Sequence, residues 1–156
     1  MRKIKVVFCD IYGTILCQDD SGNEMPPRRG FTKFVESIKA AGIKLISTSD
    51  AELTNLNFDL IDTFQRRVPF GPEVFDKYYR LAMSPKDYSI PMADLAVAPE
   101  ELLIIGNNKR NDLSHAPKEA NKILIPTYQG IDNELDLCVY SRRKIDKMKN
   151  IVNFLN

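Results

Sequence analysis

Val6-Val7-Phe8-Cys9-Asp10-Ile11-Tyr12-Gly13-Thr14 is the stretch on which the reading of this 156-residue chain turns. A run of apolar, β-favouring residues from Lys3 to Cys9 stops on a carboxylate and is followed at once by a glycine turn. A buried strand that ends this way presents the carboxylate beyond the edge of a sheet, where it can act as a nucleophile. Polar residues after strands are also ordinary turn formers. Asp10 therefore gains meaning only if other strands end on reactive groups too.

Working outward, Gly30 to Ala41 carries Phe31, Phe34, Val35 and Ile38 at helical spacing, and Gly42 stops it. Ile43 to Ser47 reads as a second strand, with Asp50 as N-cap of a helix through Leu53, Leu56 and Leu60. Val74 to Met83 fits strand or helix. Ser84 and Pro85 open a helical segment toward Val97, and Glu101 to Ile105 is a buried strand ending on Gly106. Asp112 to Asn121 has a helical pattern interrupted at Pro117, Lys122 to Ile125 is a further strand, and residues 141–155 carry the apolar face of a terminal helix. Strands alternating with helices predict an α/β fold, a three-layer Rossmann-like parallel sheet with helices on both faces. Ligands of such sheets bind beyond the carboxyl ends of the strands. Asp10, Thr48 and Gly106-Asn107 converge there, each just after an apolar run.

Length and apolar content suit one domain over residues 1–156. The net charge of +1 gives no general attraction to nucleic acid or to membranes, and the pairs Arg28-Arg29, Arg66-Arg67 and Arg142-Arg143 read as solvated faces. Cys9, Cys17 and Cys138 are odd in number and lack C-x-x-C spacing, which argues against a disulfide framework or a zinc site and for a reducing, cytoplasmic home. The opening residues are too short a run for a signal peptide or a membrane span.

Asp10 followed by Gly13-Thr14, a hydroxyl cluster after the second strand, a lysine beside a proline and a Gly-led acidic loop occur in the order found in the haloacid dehalogenase (HAD) superfamily, and residues 3–126 resemble it. The resemblance implies that Asp10 is the nucleophile and that Gly13 and Thr14 shape its turn. It makes Thr48, within Ser47-Thr48-Ser49-Asp50, the hydroxyl that binds the transferred group, with Ser49 beside it. It implies a charge-neutralising lysine near Ser84-Pro85-Lys86: Lys86 is the candidate, although Ser84 falls on the aligned position, and Arg80 is a weaker substitute. It places Asn107 and Asn108 at the substrate, and Asp10, the Tyr12 backbone carbonyl, Asn107 and Asp112 around Mg²⁺.

Two positions depart from the family pattern. Tyr12 stands where the general acid/base Asp is usual, and Asn107 stands where the first acid of the fourth motif is usual. The first removes a proton donor and the second a negative charge, so the resemblance implies a weakened Mg²⁺ site. True haloacid dehalogenases also carry Tyr two residues after the nucleophile and need no metal. The short intervals from Asp10 to Thr48 and from Thr48 to Lys86 leave no room for their helical cap, however. A capless member is expected, with residues 15–29 as a flap and closure by a large substrate or a second copy.

Lys109 and Arg110 read either as exposed loop residues or as an attraction for an anion. His115, the lone histidine, reads as a helix-surface residue, and Phe70, Phe75, Tyr78 and Tyr79 as packing. The expected function is a HAD-like hydrolase acting on a phosphorylated or other small anionic substrate, or on a phosphorylated macromolecule. Its acid/base and metal groups are impaired. The alternative is a catalytically silent binding or regulatory protein of that fold. A response-regulator receiver is the rival fold, but it needs an acid pair at the first strand, where Asp10 stands alone.

Overall fold

The structure is a computed structural model that describes residues 3–16, 28, 30–51 and 74–125. The described residues build a five-stranded, all-parallel sheet: β1 (Val6–Cys9), β2 (Lys44–Ser47), β3 (Lys77–Tyr78), β4 (Leu102–Gly106) and β5 (Asn121–Leu124). Their spatial order is β3-β2-β1-β4-β5. The chain winds from β1 to one edge and then crosses to β4 on the other side of β1. The order of winding therefore reverses between β1 and β4, which is where open α/β sheets form their binding crevice.

Side-chain alternation sorts the strands into two cores. Val7, Cys9, Leu45, Leu103 and Ile105 face one cluster, while Val6, Phe8, Ile46, Leu102 and Ile104 face the other. The first cluster is closed by α1 (Phe31–Ala40), which buries Phe31, Phe34, Val35 and Ile38. The second is closed by Tyr88, Val97 and the segment around α2 (Ser89–Asp94). Helices thus cover both faces. Burying each such side chain is worth about 1.5–3 kcal/mol, enough for the two cores to hold strand ends that carry buried charge.

Helix α1 ends where the glycine predicts. Gly42 at φ 69° donates to Lys39 O at 3.0 Å, and Ile43 N donates to Ile38 O at 2.9 Å, the paired bonds of a Schellman motif. Two expectations need correction, and one left open is decided. The helix expected from Ser84 starts only at Ser89, because the Lys86 amide is bonded to Asn111 O (2.9 Å) and Asp87 Oδ1 accepts from Ser89 N (2.9 Å) to set the first turn. The helix expected over 112–121 is a five-residue π-turn, Lys109–Leu113, followed by tight turns; Pro117 has no amide to donate and Asp112 is drawn inward. The ambiguous 74–83 segment is a two-residue edge strand. The helix after Asp50, most of the 15–29 flap, residues 127–140 and the terminal helix lie outside the described residues. Among the described residues no helix is long and apolar enough to cross a membrane.

Candidate active site

Asp10 follows β1 at the switch point, its amide continuing the ladder to Ile105 O at 3.0 Å. Its carboxylate is held at both oxygens. Oδ1 lies 2.6 Å from Lys86 Nζ, and Oδ2 accepts from Thr14 Oγ1 at 3.0 Å. Asp10 is 7% exposed and Lys86 is fully buried. Lys86 Nζ is also 2.8 Å from Asp112 Oδ1, so one ammonium bridges two carboxylates. That second contact is ionic rather than aligned, and Asp112 Oδ1 has no well-directed donor. Asp112 Oδ2 instead accepts from Asn108 N at 2.9 Å.

Burial pushes the Asp10 carboxyl above its ordinary 3.8; Lys86 opposes this and Asp112 reinforces it. Burial pulls the Lys86 ammonium down, but Asp10 and Asp112 together outweigh it, and the net shift is upward from 10.5. The site therefore carries two carboxylates against one ammonium. Cys9, directly before Asp10, is no competing nucleophile. Its thiol is pushed well above its ordinary value by burial and donates to Asp10 O at 3.3 Å.

Gly106 makes this arrangement physically accessible. A Cβ there would come within 2.4 Å of Asp112 Oδ2, so the strand end needs glycine for Asp112 to fold back over it. Tyr88, fully inside the second core and stacked on Phe8 at 5.7 Å, donates from its hydroxyl to Asp112 O at 2.8 Å. Burial pushes this phenol well up, and the Thr48 side chain works against that rise. Tyr88 thus ties the second core to the loop after β4.

The loop after Asp10 is wound tightly around Ile11 O, which accepts from Thr14 N, Ile15 N and Leu16 N at 3.2, 2.7 and 3.0 Å. Gly13 takes φ 76°, the left-handed conformation for which glycine is suited. Arg28 closes the loop from behind, its Nε donating to Thr14 O at 2.6 Å and its Nη2 to Gly13 O at 3.2 Å. At 6% exposure Arg28 is no solvated residue, which corrects the reading of its pair. Tyr12 is half-buried, and its ring packs against the first core.

Of the three candidate hydroxyls, Thr48 shares the sheet face of Asp10: its amide extends the ladder to Cys9 O at 3.0 Å, and both residues continue the alternation of Phe8 and Ile46. Ser47 lies on the opposite face with its buried hydroxyl unpartnered among the described residues, and Ser49 Oγ accepts from Ala51 N at 3.2 Å. Asn107 Oδ1 is 3.1 Å from Thr14 Oγ1. Thr14 has one proton for two acceptors, and the carboxylate is the stronger. The amide orientation that satisfies both contacts turns the Asn107 N–H toward Thr14, as a carboxylate could not.

The Asn108 side chain is used within the loop, accepting from Asn111 N at 3.0 Å. Lys109, Arg110 and His115 are exposed and make no contact with Asp10. Phe75 packs with Phe31 and Tyr78 at 6.3 and 5.4 Å, and Tyr79 bonds Asp94 at the surface, so these aromatics are packing residues; Phe70 lies outside the described residues. Arg28 and Tyr88 are the residues that motif order did not reveal. Tyr88 sits two residues past Lys86 as an apolar body with a polar tip, a signal in retrospect.

No protein-family model and no curated protein matches the chain. Solved structures do. A HAD family enzyme from Bacteroides thetaiotaomicron aligns at TM-score 0.67 and 10% identity, covering 88% of this chain and 99% of that one. CbbY from Rhodobacter sphaeroides in complex with phosphate aligns at 0.61 and 14%, covering 86% and 96%. The fold is that of the haloacid dehalogenase superfamily. A dehalogenase structure also aligns with this chain, at TM-score 0.61 and 13% identity over 90% of it and 98% of the other.

The donor set fits a hard cation in kind. Asp10 and Asp112 supply carboxylates, and the buried Asp112 Oδ1 lacks an aligned donor. Among the described residues, however, no three His, Cys, Asp or Glu side chains gather, and Lys86 already offsets one of the two charges. A Mg²⁺ ion, which prefers anionic oxygens, meets one net negative charge here.

Proposed function

We propose that this chain is a hydrolase that uses Asp10 as nucleophile on a phosphorylated or other small anionic substrate. The observation that carries the reading is the buried Asp10 carboxylate at the switch point, fixed by Lys86 on one oxygen and Thr14 on the other. Such fixation lowers the entropy cost of attack, and the ammonium offsets charge as an anion approaches. Asp10 forms an oxygen–phosphorus bond as the ester oxygen departs, and water then cleaves the aspartyl phosphate to restore the carboxylate. Thr48, on the sheet face of Asp10, donates its hydroxyl proton to the transferred group. Gly13, Thr14 and the loop amides near Asn107 and Asn108 shape its cradle.

Mg²⁺ would be held by Asp10, Asp112, the Tyr12 carbonyl and the Asn107 amide oxygen, and would neutralise charge on the phosphoryl group. The Bacteroides thetaiotaomicron enzyme was also solved with magnesium and inorganic phosphate, and a Bacteroides fragilis protein containing a phosphatase domain was solved with Mg. Both lend support by fold.

The acid/base position defines the substrate class further. With Tyr12 packed on the core, its position supplies no carboxylic acid to protonate a leaving group, a contribution worth about 10²–10⁴-fold. Acyl and aryl phosphates, whose leaving groups depart without a proton, are therefore the favoured substrates over alkyl esters. The test is hydrolysis of acetyl phosphate and 4-nitrophenyl phosphate with Mg²⁺, with a phosphate adduct sought by mass on quenched protein. Activity and adduct that vanish in Asp10→Asn, with faster turnover of the adduct in Tyr12→Asp, support the proposal. No adduct in any of these proteins would instead favour a silent anion-binding relative.

A further inference from the structure

On the face of β5 beside the π-turn lies a groove of about 610 Å³ lined by Lys109, Arg110, Leu113, Ser114, Lys122 and Leu124. That volume lies within the range of small-molecule sites. Three of these six residues are cations, and no carboxylate lines the groove among the described residues. Among the described residues Lys109, Arg110 and Lys122 have no ion-pair partner, whereas elsewhere Lys5 pairs with Glu101 and Lys77 with Asp94. A chain whose net charge is only +1 has gathered three cations in one concavity with no acidic partner among the described residues. Bringing like charges together costs energy that a bound anion would relieve.

The groove is not simply basic. Leu113 packs against the second core and shows its other side here, while Leu124 is 43% exposed, an unusual position for a large aliphatic side chain in a strand. Register places Lys122 opposite Ile104 and Leu124 opposite Gly106, so charge and apolar surface alternate along one face of the edge strand.

We propose that this groove binds a small amphipathic anion, its phosphate or carboxylate among Lys109, Arg110 and Lys122 and its apolar body against Leu113 and Leu124. The proposal stands apart from the hydrolase reading, because none of the six residues belongs to the Asp10–Lys86–Asp112 cluster.

Octyl phosphate is the probe, with inorganic phosphate and octanol as its two halves. Titration of the full chain, followed by calorimetry and by the methyl signals of Leu113 and Leu124, should show octyl phosphate binding at least about tenfold tighter than either half, with both methyls shifting. Arg110→Glu/Lys122→Glu should weaken it about tenfold or more, and Leu124→Ser severalfold. Lys33→Glu/Lys44→Glu makes the same charge change away from the groove and should leave binding within about twofold. The proposal is overturned if the groove variant binds like wild type, if the control pair weakens binding equally, or if the Leu113 and Leu124 methyls do not move. Capture on phosphatidylglycerol vesicles without binding of free octyl phosphate would likewise overturn it, in favour of a membrane surface.

Discussion

The two oxygens of Asp10 meet opposite halves of the site. On the Oδ1 side Lys86 and Asp112 form a buried ionic bridge, backed by Gly106 and Tyr88. On the Oδ2 side the partners are neutral: the Thr14 hydroxyl and, beyond it, the Asn107 amide, with Tyr12 packed on the core. On the proposed reading, the charged half fixes the nucleophile, and the neutral half stands where an acid and a metal ligand would act. Substitutions on the two sides should therefore differ in kind: those near Oδ1 should cost stability or move the Asp10 titration, and those near Oδ2 that keep the packing should cost little.

Lys86→Met should have the largest effect. It leaves Asp10 and Asp112 buried without a counter-charge, and breaking a buried pair this way costs about 3–5 kcal/mol. The sign of the pH dependence follows from the shifts. Lys86 has its folded value raised above 10.5, so its contribution is fully present below that pH and is lost as pH rises through the folded value. Denaturation midpoints should therefore fall on alkaline titration in wild type, and Lys86→Met should lose that alkaline component. Adding Asp112→Asn to Lys86→Met should recover part of the stability. Absence of recovery would mean that Lys86 acts through packing alone.

Gly106→Ala should cost about 1–3 kcal/mol, the usual range for forcing an extra carbon into a filled space. The Cβ displaces Asp112, and the Asn108 amide loses its acceptor. Hydrogen exchange at Asn108 reads this directly. Protection equal to wild type would show that the loop can shift without releasing Asp112.

These two residues also mark what sequence could and could not reveal. The strand ends were legible because apolar runs announce β1, β2 and β4, and whatever follows such a run stands at the crevice; Asp10, Thr48 and Gly106 needed no more than that. Lys86 was legible as a candidate but not as a decision. Its approach to Asp10 depends on how the Ser84–Pro85 loop runs and on the Lys86–Asn111 backbone bond, neither of which has a periodic signature. The expected helices at 84–97 and 112–121 failed for the same reason, since tertiary demand on Lys86 and Asp112 overrode local pattern. Arg28 was read as solvated because an arginine is seldom buried. What buries it is a set of loop carbonyls that exists only once the chain turns at Gly13.

Asp112→Asn sharpens the comparison electrostatically. Asp10 lies above 3.8 chiefly through burial, with Asp112 adding to the rise. A raised carboxyl makes the folded state prefer the proton, so Asp10 detracts from stability as pH climbs from 3.8 through its folded value. Removing the Asp112 charge should lower the Asp10 titration, followed by carboxyl NMR, and should move any acid limb of activity downward with it. An upward movement would mean that the loss of order in Lys86 outweighs the loss of repulsion.

Tyr12→Phe should have the smallest effect and tests the neutral half most directly. It keeps the ring that packs on the first core and removes the hydroxyl, so stability should stay within about 1 kcal/mol. A phenol is a poor proton donor or acceptor for a reaction at neutral pH, so hydrolysis of an aryl phosphate should also change little. Tyr12→Asp is the informative contrast, since it sacrifices ring packing to install a carboxyl. If Tyr12→Phe alone lowered the rate about tenfold, as loss of a working acid would, the asymmetry around Asp10 would dissolve. Tyr12 would then be an acid in a changed form, and alkyl phosphates would return to the substrate class.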